Sequence, residues 1–307
     1  MSYSQKLLAC ATAVRSVLPH PERPGRVLAT VEKVERTTAL DPVLQSMQRR
    51  VQSLPISGDA RDILHGRWLG HPVHPLLVQV PIGTWMSAAV LDLMPGRRFA
   101  PGLLVATGLA AAVPAAVTGW IDWSDMRKPQ MRVGLVHALM NSTAVGLYAA
   151  SLTARLRGRS LRGRALGYAG LAAVGVGGAL GGHLAYRQAA AVNHAEDISV
   201  RTEPGWHPLG AAGDFPIGEA VRRNVGDVPV VVVRESGGAV HVLADRCSHM
   251  AGPLSEGKVS DGCVRCPWHG SVFRLSDGWN VSGPATSPQP AFETRNVEGR
   301  VEARLNP

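Results

Sequence analysis

The sequence Cys247-Ser-His249 is followed, after sixteen residues, by Cys266-Pro-Trp-His269. Thiolates and imidazoles are metal ligands, and two short pairs of this composition are typical of a metal centre. Glycine and proline residues, which favour tight loops, surround both pairs. They are Gly252, Pro253, Gly257, Gly262, Pro267 and Gly270. The pattern predicts two loops that meet over a bound metal group.

A zinc site is the alternative that this composition leaves open. Cys263-Val-Arg-Cys266 is a CxxC sequence of the kind found in zinc ribbons and redox motifs. A zinc ribbon needs a second CxxC, whereas the chain has four cysteines and the remaining two are Cys10 and Cys247. We therefore expect Cys263 to be a small apolar strand residue and not a ligand.

Residues 206–307 resemble a Rieske domain in the residues of these two loops. The resemblance implies a [2Fe–2S] cluster, with Cys247 and Cys266 as thiolate ligands of one iron and His249 and His269 as imidazole ligands of the other. Rieske proteins of quinol-oxidising complexes have an additional cysteine in each loop, and this chain has neither. The resemblance is therefore to the subtype of ferredoxins and oxygenases.

Three residues beside the second pair are expected to affect the cluster. Ser271 stands where high-potential Rieske proteins have a serine donor, and Phe273 stands where they have a tyrosine. Hydrogen bonds to the sulfurs help to set the reduction potential, so one donor retained and one lost predicts an intermediate value. Trp268 is expected to pack beside the cluster or to form part of a docking surface.

The sequence around the two pairs predicts β structure. Residues 228–234 and 239–244 are rich in β-branched and apolar residues and are separated by Glu235-Ser-Gly-Gly238, which favours a hairpin. Residues 271–275 and 293–305 continue the pattern. We predict an α + β multidomain chain, in which a four-helix transmembrane bundle is followed by an all-β Rieske domain.

Four apolar segments of about twenty residues precede the β region, each long enough to cross a bilayer. They are residues 75–94, 101–121, 133–153 and 165–186. Buried helices of a soluble protein are the alternative, but Trp120, Trp123 and Tyr186 lie at segment ends, as interfacial residues do. The predicted domains are a polar segment with amphipathic helices at 5–18 and 40–54 (1–60), a membrane domain (61–190), a linker (191–205) and the Rieske domain.

The membrane region also resembles a known family. The sequence from Gly70 through His71-Pro-Val-His74 to Gly83, followed by Gly119-Trp-Ile-Asp-Trp123, is similar to the uncharacterised DUF2231 membrane domain of four helices. The resemblance implies an architecture and no activity.

Several polar residues should lie at one face of the membrane if four helices cross it. They are His71, His74, Asp122, His137, Asn141 and His183. Ionisable residues in membrane helices are functional candidates, and histidine is a common haem ligand, so haem b, a quinone or a metal is one hypothesis for this group. Helix capping and contacts with lipid head groups are the alternative.

The formal charge of +9 comes mostly from arginine, without interleaved aromatic residues. This favours a membrane surface as the binding partner and argues against nucleic acid. Arginine is frequent on both sides of the predicted helices, so the loops alone give no orientation. Because iron–sulfur clusters are assembled in the cytoplasm and no disulfide framework is evident, we expect the Rieske domain to be cytoplasmic.

The function predicted from these residues is one-electron transfer between redox partner proteins, without a catalytic residue in the chain. Rieske oxygenases have a further iron site of two histidines and a carboxylate, and no histidine follows His269. A quinol- or haem-linked oxidoreductase subunit and a redox sensor remain as alternatives.

Overall fold

The computed structural model describes residues 25–96 and 99–306. Helices form the first part of the chain. They are α1 (Arg26–Arg36), α2 (Asp41–Gln52), α3 (Gly58–His65), α4 (His74–Leu77), α5 (Gln79–Asp92), α6 (Phe99–Trp123), α7 (Lys128–Leu156), α8 (Ser160–Gly182) and α9 (Ile198–Arg201). The amphipathic helix predicted at 40–54 corresponds to α2, whereas the one predicted at 5–18 lies outside the described residues.

Strands form the second part, so the predicted order of a helical region and an all-β domain is confirmed. They are β1 (His207–Ala211), β2 (Val221–Val225), β3 (Val228–Arg234), β4 (Val240–Ala244), β5 (Lys258–Ser260), β6 (Cys263–Arg265), β7 (Val272–Arg274), β8 (Asn280–Ser282), β9 (Ala291–Val297) and β10 (Arg300–Leu305).

In the described part of the chain, three helices are long and apolar enough to cross a membrane. They are Phe99–Trp123, Lys128–Leu156 and Ser160–Arg187, the last of which includes a π-helical turn after α8. Within the most apolar stretches of these helices, only 22%, 22% and 28% of the residues are buried. Most of their apolar surface therefore faces outward, as it does in helices that contact lipid.

The predicted first membrane helix, 75–94, is divided into α4 and α5. Pro81 is the third residue of α5 and has no N–H for a hydrogen bond to the preceding turn. The remaining helix α5 has 14 residues, fewer than the roughly 20 that span a hydrocarbon core. A count of four membrane-crossing helices is therefore not confirmed.

Aromatic residues and glycines pack the long helices together. The rings of Trp85 in α5 and Tyr148 in α7 stack with their centroids 4.2 Å apart. A Cβ atom at Gly108 would lie 2.2 Å from Trp85 Nε1, and one at Gly170 would lie 2.8 Å from the Tyr148 ring. Glycine at these positions of α6 and α8 leaves the space that the two rings occupy.

Two sheets with antiparallel pairing build the β domain. Their strand orders are β1-β10-β9-β4-β3-β2 and β5-β6-β7-β8. Strand β3 is buried on both faces: Val230 and Val232 enter one core, while Val231 and Val233 enter a second core that contains Phe273. The four-stranded sheet and the ligand-bearing loops thus pack on the larger sheet.

Part of the predicted linker belongs to the β domain. Ala195 and Ile198 are buried in its first core, 1% and 0% exposed. The backbone N–H of His194 also donates to the carbonyl of Ser248 at 2.9 Å. This connection attaches the chain after α8 directly to the first cysteine–histidine loop.

Candidate metal centre

The first loop, between β4 and β5, is shaped by its own backbone. The N–H of Cys247 donates to the carbonyl of Gly252 at 2.9 Å, and the N–H of Ala251 donates to the carbonyl of Cys247 at 2.8 Å. Ala251 adopts a positive φ of 62° to close this turn. As a result, the side chains of Cys247 and His249 are held on one tight turn.

The second loop, between β6 and β7, closes in the same way. The N–H of Cys266 donates to the carbonyl of Ser271 at 2.8 Å, and the N–H of Gly270 donates to the carbonyl of Cys266 at 3.2 Å. Gly270 has φ of 76°, a conformation that glycine adopts without strain. The reversal places Cys266 and His269 opposite the first pair.

A third segment, after β8, supports the first loop through the buried Gln289. Its amide nitrogen donates to the carbonyls of Ala244 and Arg246, at 2.7 Å each. Its Oε1 accepts a hydrogen bond from the backbone N–H of Ser248 at 3.0 Å. Gln289 was not predicted from the sequence, because its partners are about forty positions earlier and no local pattern marks it.

The two cysteines predicted as ligands lie together at the inner end of the site. Cys247 and Cys266 are 1% and 3% exposed, and both are free thiols. Because the Cys247 thiol donates a hydrogen bond to the Cys266 sulfur, the pKa of Cys266 is lowered to about 7 and that of Cys247 is raised. Cys263, also a free thiol, lies on β6, as predicted for a strand residue.

Backbone amides surround both cysteine sulfurs. The N–H groups of His249 and Met250 donate to Cys247, and those of Trp268 and His269 donate to Cys266. Such donors stabilise negative charge on sulfur and tune the potential of an iron–sulfur cluster. Both loops therefore present the same kind of thiolate-binding backbone.

The two histidines lie together at the other end of the site. The rings of His249 and His269 are 5.0 Å apart, centroid to centroid, with their planes at 89°. His249 Nδ1 is buried and has no hydrogen-bond partner among the described residues. Burial lowers the pKa of both imidazoles, which favours the neutral form that binds metals.

This arrangement fits a two-iron cluster. Two adjacent thiols face two adjacent imidazoles, and the buried, unpartnered His249 Nδ1 is free to bind iron. Within the two described ranges, no three His, Cys, Asp or Glu side chains gather as ligands of a single ion. A Rieske cluster requires only two protein ligands for each iron.

The three residues expected beside the cluster lie around the second loop. Ser271 is fully buried, and its Oγ accepts a hydrogen bond from the backbone N–H of Ala285 at 3.1 Å. Phe273 is fully buried in the core. Trp268 is 50% exposed and its ring centroid is 6.4 Å from that of His269, so its indole forms part of the outer surface.

The polar residues predicted at one membrane face fall into separate groups. His74 and His137 approach each other, with ring centroids 6.3 Å apart, and Asn141 Nδ2 is 3.2 Å from His137 Nε2. His74 Nδ1 lies 2.8 Å from the carbonyl oxygen of Ala115. His137 Nδ1 lies 2.7 Å from the carbonyl oxygen of Gly177.

The remaining three residues of that set have other partners. Asp122 pairs with His65, at 2.9 Å from Oδ1 to Nδ1. His183 Nε2 lies 2.6 Å from Glu35 Oε1, and His71 is exposed, with Nδ1 3.0 Å from the carbonyl of Pro72. The set therefore does not form one cluster in this structure, and a cofactor bound by it stays a prediction.

Two residues near Asp122 were also not predicted from the sequence. His65, at the end of α3, is 3% exposed, and Asp125 lies in the short connection between α6 and α7. His65 and Asp122 line a cavity that is also lined by His249, and Asp125 Oδ2 lies 3.4 Å from His65 Nε2. No residue spacing in the sequence links position 65 to positions 122 and 249.

Comparison with known protein families agrees with both domains. Residues 205–293 match the family described as Rieske [2Fe-2S] domain, and residues 70–194 match the family described as Predicted membrane protein (DUF2231). The second match extends to the connection that docks on the first ligand loop.

Relatives of known identity match the β domain. The chain is 39% identical over 100 residues to the anthranilate 1,2-dioxygenase ferredoxin subunit of Burkholderia cepacia, covering 33% of this chain and 92% of the relative. It is 36% identical over 97 residues to ferredoxin CarAc of Metapseudomonas resinovorans, covering 31% of this chain and 90% of that relative. It is also 38% identical over 87 residues to the 3-phenylpropionate/cinnamic acid dioxygenase ferredoxin subunit of Escherichia coli (strain K12), covering 28% of this chain and 79% of that relative. The chain thus belongs to the Rieske [2Fe–2S] domain family and joins that domain to a membrane domain of the DUF2231 type.

Proposed function

We propose that this protein is a membrane-anchored carrier of single electrons, with a Rieske domain fixed above three or four membrane helices. Three relatives that match the β domain are ferredoxins or ferredoxin subunits, which supports one-electron transfer as its activity. When bound, the [2Fe–2S] cluster supplies the single-electron chemistry. The residues of the chain hold it, tune it and control which of its edges a partner reaches.

The observation that carries this proposal is the difference between the two imidazoles. His249 lines a cavity whose other walls include His65 and Asp122 of the helical domain, so one edge of the centre faces inward. His269 lies beside the half-exposed Trp268, so the other edge faces outward. Electron exchange with a redox partner is therefore assigned to the His269 and Trp268 edge.

Membrane anchoring is supported by the outward-facing apolar surface of the long helices. Val113 of α6, Leu139 of α7 and Val176 of α8 are 63%, 62% and 49% exposed. Exposed apolar side chains spread along three neighbouring helices favour contact with lipid. Retention of the full chain in the membrane fraction after an alkaline carbonate wash tests this part, and release into the supernatant would contradict it.

A cytoplasmic Rieske domain is part of the same proposal. Cluster assembly in the cytoplasm supports it, as does the absence of disulfides among the described cysteines. A C-terminal alkaline phosphatase fusion should be inactive in cells and a C-terminal green fluorescent protein fusion should fluoresce. An active phosphatase fusion would place the domain on the other side.

A quinol- or haem-linked role is a second candidate, because His74 and His137 are oriented like ligand histidines. With Nδ1 of each bonded to a backbone carbonyl, Nε2 is the nitrogen left for a ligand. In His137, however, Nε2 already lies 3.2 Å from Asn141 Nδ2. This role would be favoured over the simple carrier if the wild type shows quinol-dependent reduction of the cluster, or a haem Soret band, and the H137A variant does not.

The outward edge is tested by comparing two tryptophans of the β domain. Trp268 and Trp279 are 50% and 49% exposed, but only Trp268 lies beside a ligand histidine. W268A should slow reoxidation of the reduced protein by a soluble protein acceptor such as cytochrome c, whereas W279A should not. Equal rates for both variants and the wild type would contradict electron exit at this edge.

A further inference from the structure

A small cavity separates the cluster loop from the helical domain. Its walls include His65 of α3, Asp122 of α6, His249 of the first ligand loop, and Ala191 and Val192 of the connection. The volume open to the centres of water-sized spheres is about 20 Å³. A polar cavity of this size holds about one water molecule and excludes a larger organic ligand.

His65 is the central polar residue of this region, and its hydrogen bonding is incomplete. Its side chain is 4% exposed, and Nδ1 lies 2.9 Å from Asp122 Oδ1. Within residues 25–96 and 99–306, Nε2 has no hydrogen-bond partner, although Asp125 Oδ2 is 3.4 Å away. A neutral imidazole that donates from Nδ1 to Asp122 presents a lone pair to the Asp125 carboxylate. Two acceptors facing each other in a buried place favour the uptake of a proton.

Asp125 lies between α6 and α7 and has the electrostatic setting of such a proton acceptor. Burial raises the pKa of Asp125 to about 6, and the neighbouring Asp122 contributes to this increase. His65 and Arg61 act in the opposite direction. The other charged or titratable groups around this region are His74 near Asp122, and His249 and His194 on the side of the β domain. Arg127 and Arg246 act on His194, whereas Arg61 is the arginine that acts on Asp125.

We propose that His65, Asp122 and Asp125 form a proton-binding site that takes up one proton from solvent when the neighbouring cluster is reduced. In this step one electron passes from the redox partner to the iron pair, one proton from water binds to the site, and no covalent bond of the protein breaks. The site rests on the proposed function, since it requires a cluster held by His249. The negative charge that reduction adds to the cluster raises the proton affinity of nearby carboxylates. By thermodynamic linkage, a proton bound at this site raises the electron affinity of the cluster by the same free energy.

The test is the reduction potential of the cluster as a function of pH. Detergent-purified full-length protein would be titrated from about pH 5 to about pH 8 and followed by EPR. The reduction potential of the cluster should fall as pH rises above about 6, the pKa of Asp125. The limit for one proton per electron is a tenfold change in the equilibrium constant for each pH unit, which is about 59 mV.

Two variants and one control identify the proton-binding group. D125N and H65Q should each flatten the dependence on pH. D277N should retain it, because Asp277 is an exposed carboxylate of the β domain, paired with Arg274. Redox-difference infrared spectra should show a protonated carboxyl band in the wild type that D125N lacks.

The outcomes separate this proposal from the function on which it rests. A reduced wild-type protein without a cluster EPR signal would overturn the proposed function itself. A normal signal with a potential that is constant over the pH range would overturn only the proton site. A slope that survives in both D125N and H65Q would assign the proton to other groups, such as the imidazole ligands, and would also overturn it.

Discussion

The carboxylate of Asp62 in α3 accepts a hydrogen bond from the backbone N–H of Gly283, with Oδ1 and N 2.9 Å apart. Next to it, Arg67 Nη1 donates to the carbonyl of Asn280 at 3.2 Å. Gly283 also packs closely on the second ligand loop, since a Cβ atom there would lie 2.7 Å from Ser271 Cα. The contact that docks the β domain on the helices therefore also supports the cluster loop.

Removal of this contact should loosen the docked arrangement. D62A leaves the Gly283 N–H without its partner, at a cost of about 1 kcal/mol, so hydrogen exchange at that amide should accelerate roughly fivefold. D62N is the matched control, because its side-chain oxygen can still accept the bond. Equal exchange in D62A and in the wild type would show that the contact does not hold the two domains together.

The cysteine ligands can be separated from the third cysteine of the same domain. C266S should abolish the visible absorption and the EPR signal of the cluster, because a thiolate ligand is lost. C263S removes a similar sulfur from β6 and should retain both signals. Loss of both signals in C263S as well as in C266S would indicate a different ligand set, one that includes the CxxC sequence Cys263-Val-Arg-Cys266.

Close packing between the two loops makes Gly252 sensitive to any side chain. A Cβ atom at this position would lie 2.9 Å from Cys266 Sγ and 3.0 Å from the Trp268 ring. G252A should therefore lower cluster occupancy after purification, as measured by iron per protein. G213A is the control, since a Cβ atom there meets nothing within 4 Å. Full occupancy in G252A would mean that the loops are farther apart in the loaded protein.

Ser271 should tune the reduction potential. If its hydroxyl donates to a cluster sulfur, S271A removes a bond worth about 0.5 to 1.5 kcal/mol that favours the reduced state, and the potential should fall by about 20 to 60 mV. The control is S248A, because the Ser248 hydroxyl donates to the carbonyl of Ser287. The same potential in S271A and in the wild type would exclude this donor.

Local patterns in the sequence predicted the elements that depend on neighbours along the chain. The alternation around Val230 to Val233 and the turn at Glu298 and Gly299, both with positive φ, are visible in the sequence and present in the structure. The long apolar helices were predicted from the length of the apolar segments and the aromatic residues at their ends. The first apolar segment, 75–94, was predicted as one continuous helix, because hydropathy does not register that Pro81 has no backbone N–H to donate within a helix.

Contacts between distant segments were not predictable in this way. The partners of His65, of Asp62 and of Gln289 lie far away in sequence, and their pairing depends on how two domains dock. The six polar residues expected at one membrane face were grouped by topology, which fixes depth along a helix but not direction around it. For this reason His74 and His137 meet, while His183 pairs with Glu35 instead.

We expect Cys247, His249, Cys266 and His269 to hold a Rieske cluster in a membrane-bound carrier. This is tested by the low-temperature EPR spectrum, recorded with the optical spectrum, of full-length protein purified in detergent and reduced with dithionite. The wild type should show the rhombic signal of a reduced two-iron cluster, and H269A should lack it. A protein that shows no such signal after anaerobic reconstitution with iron and sulfide would contradict it.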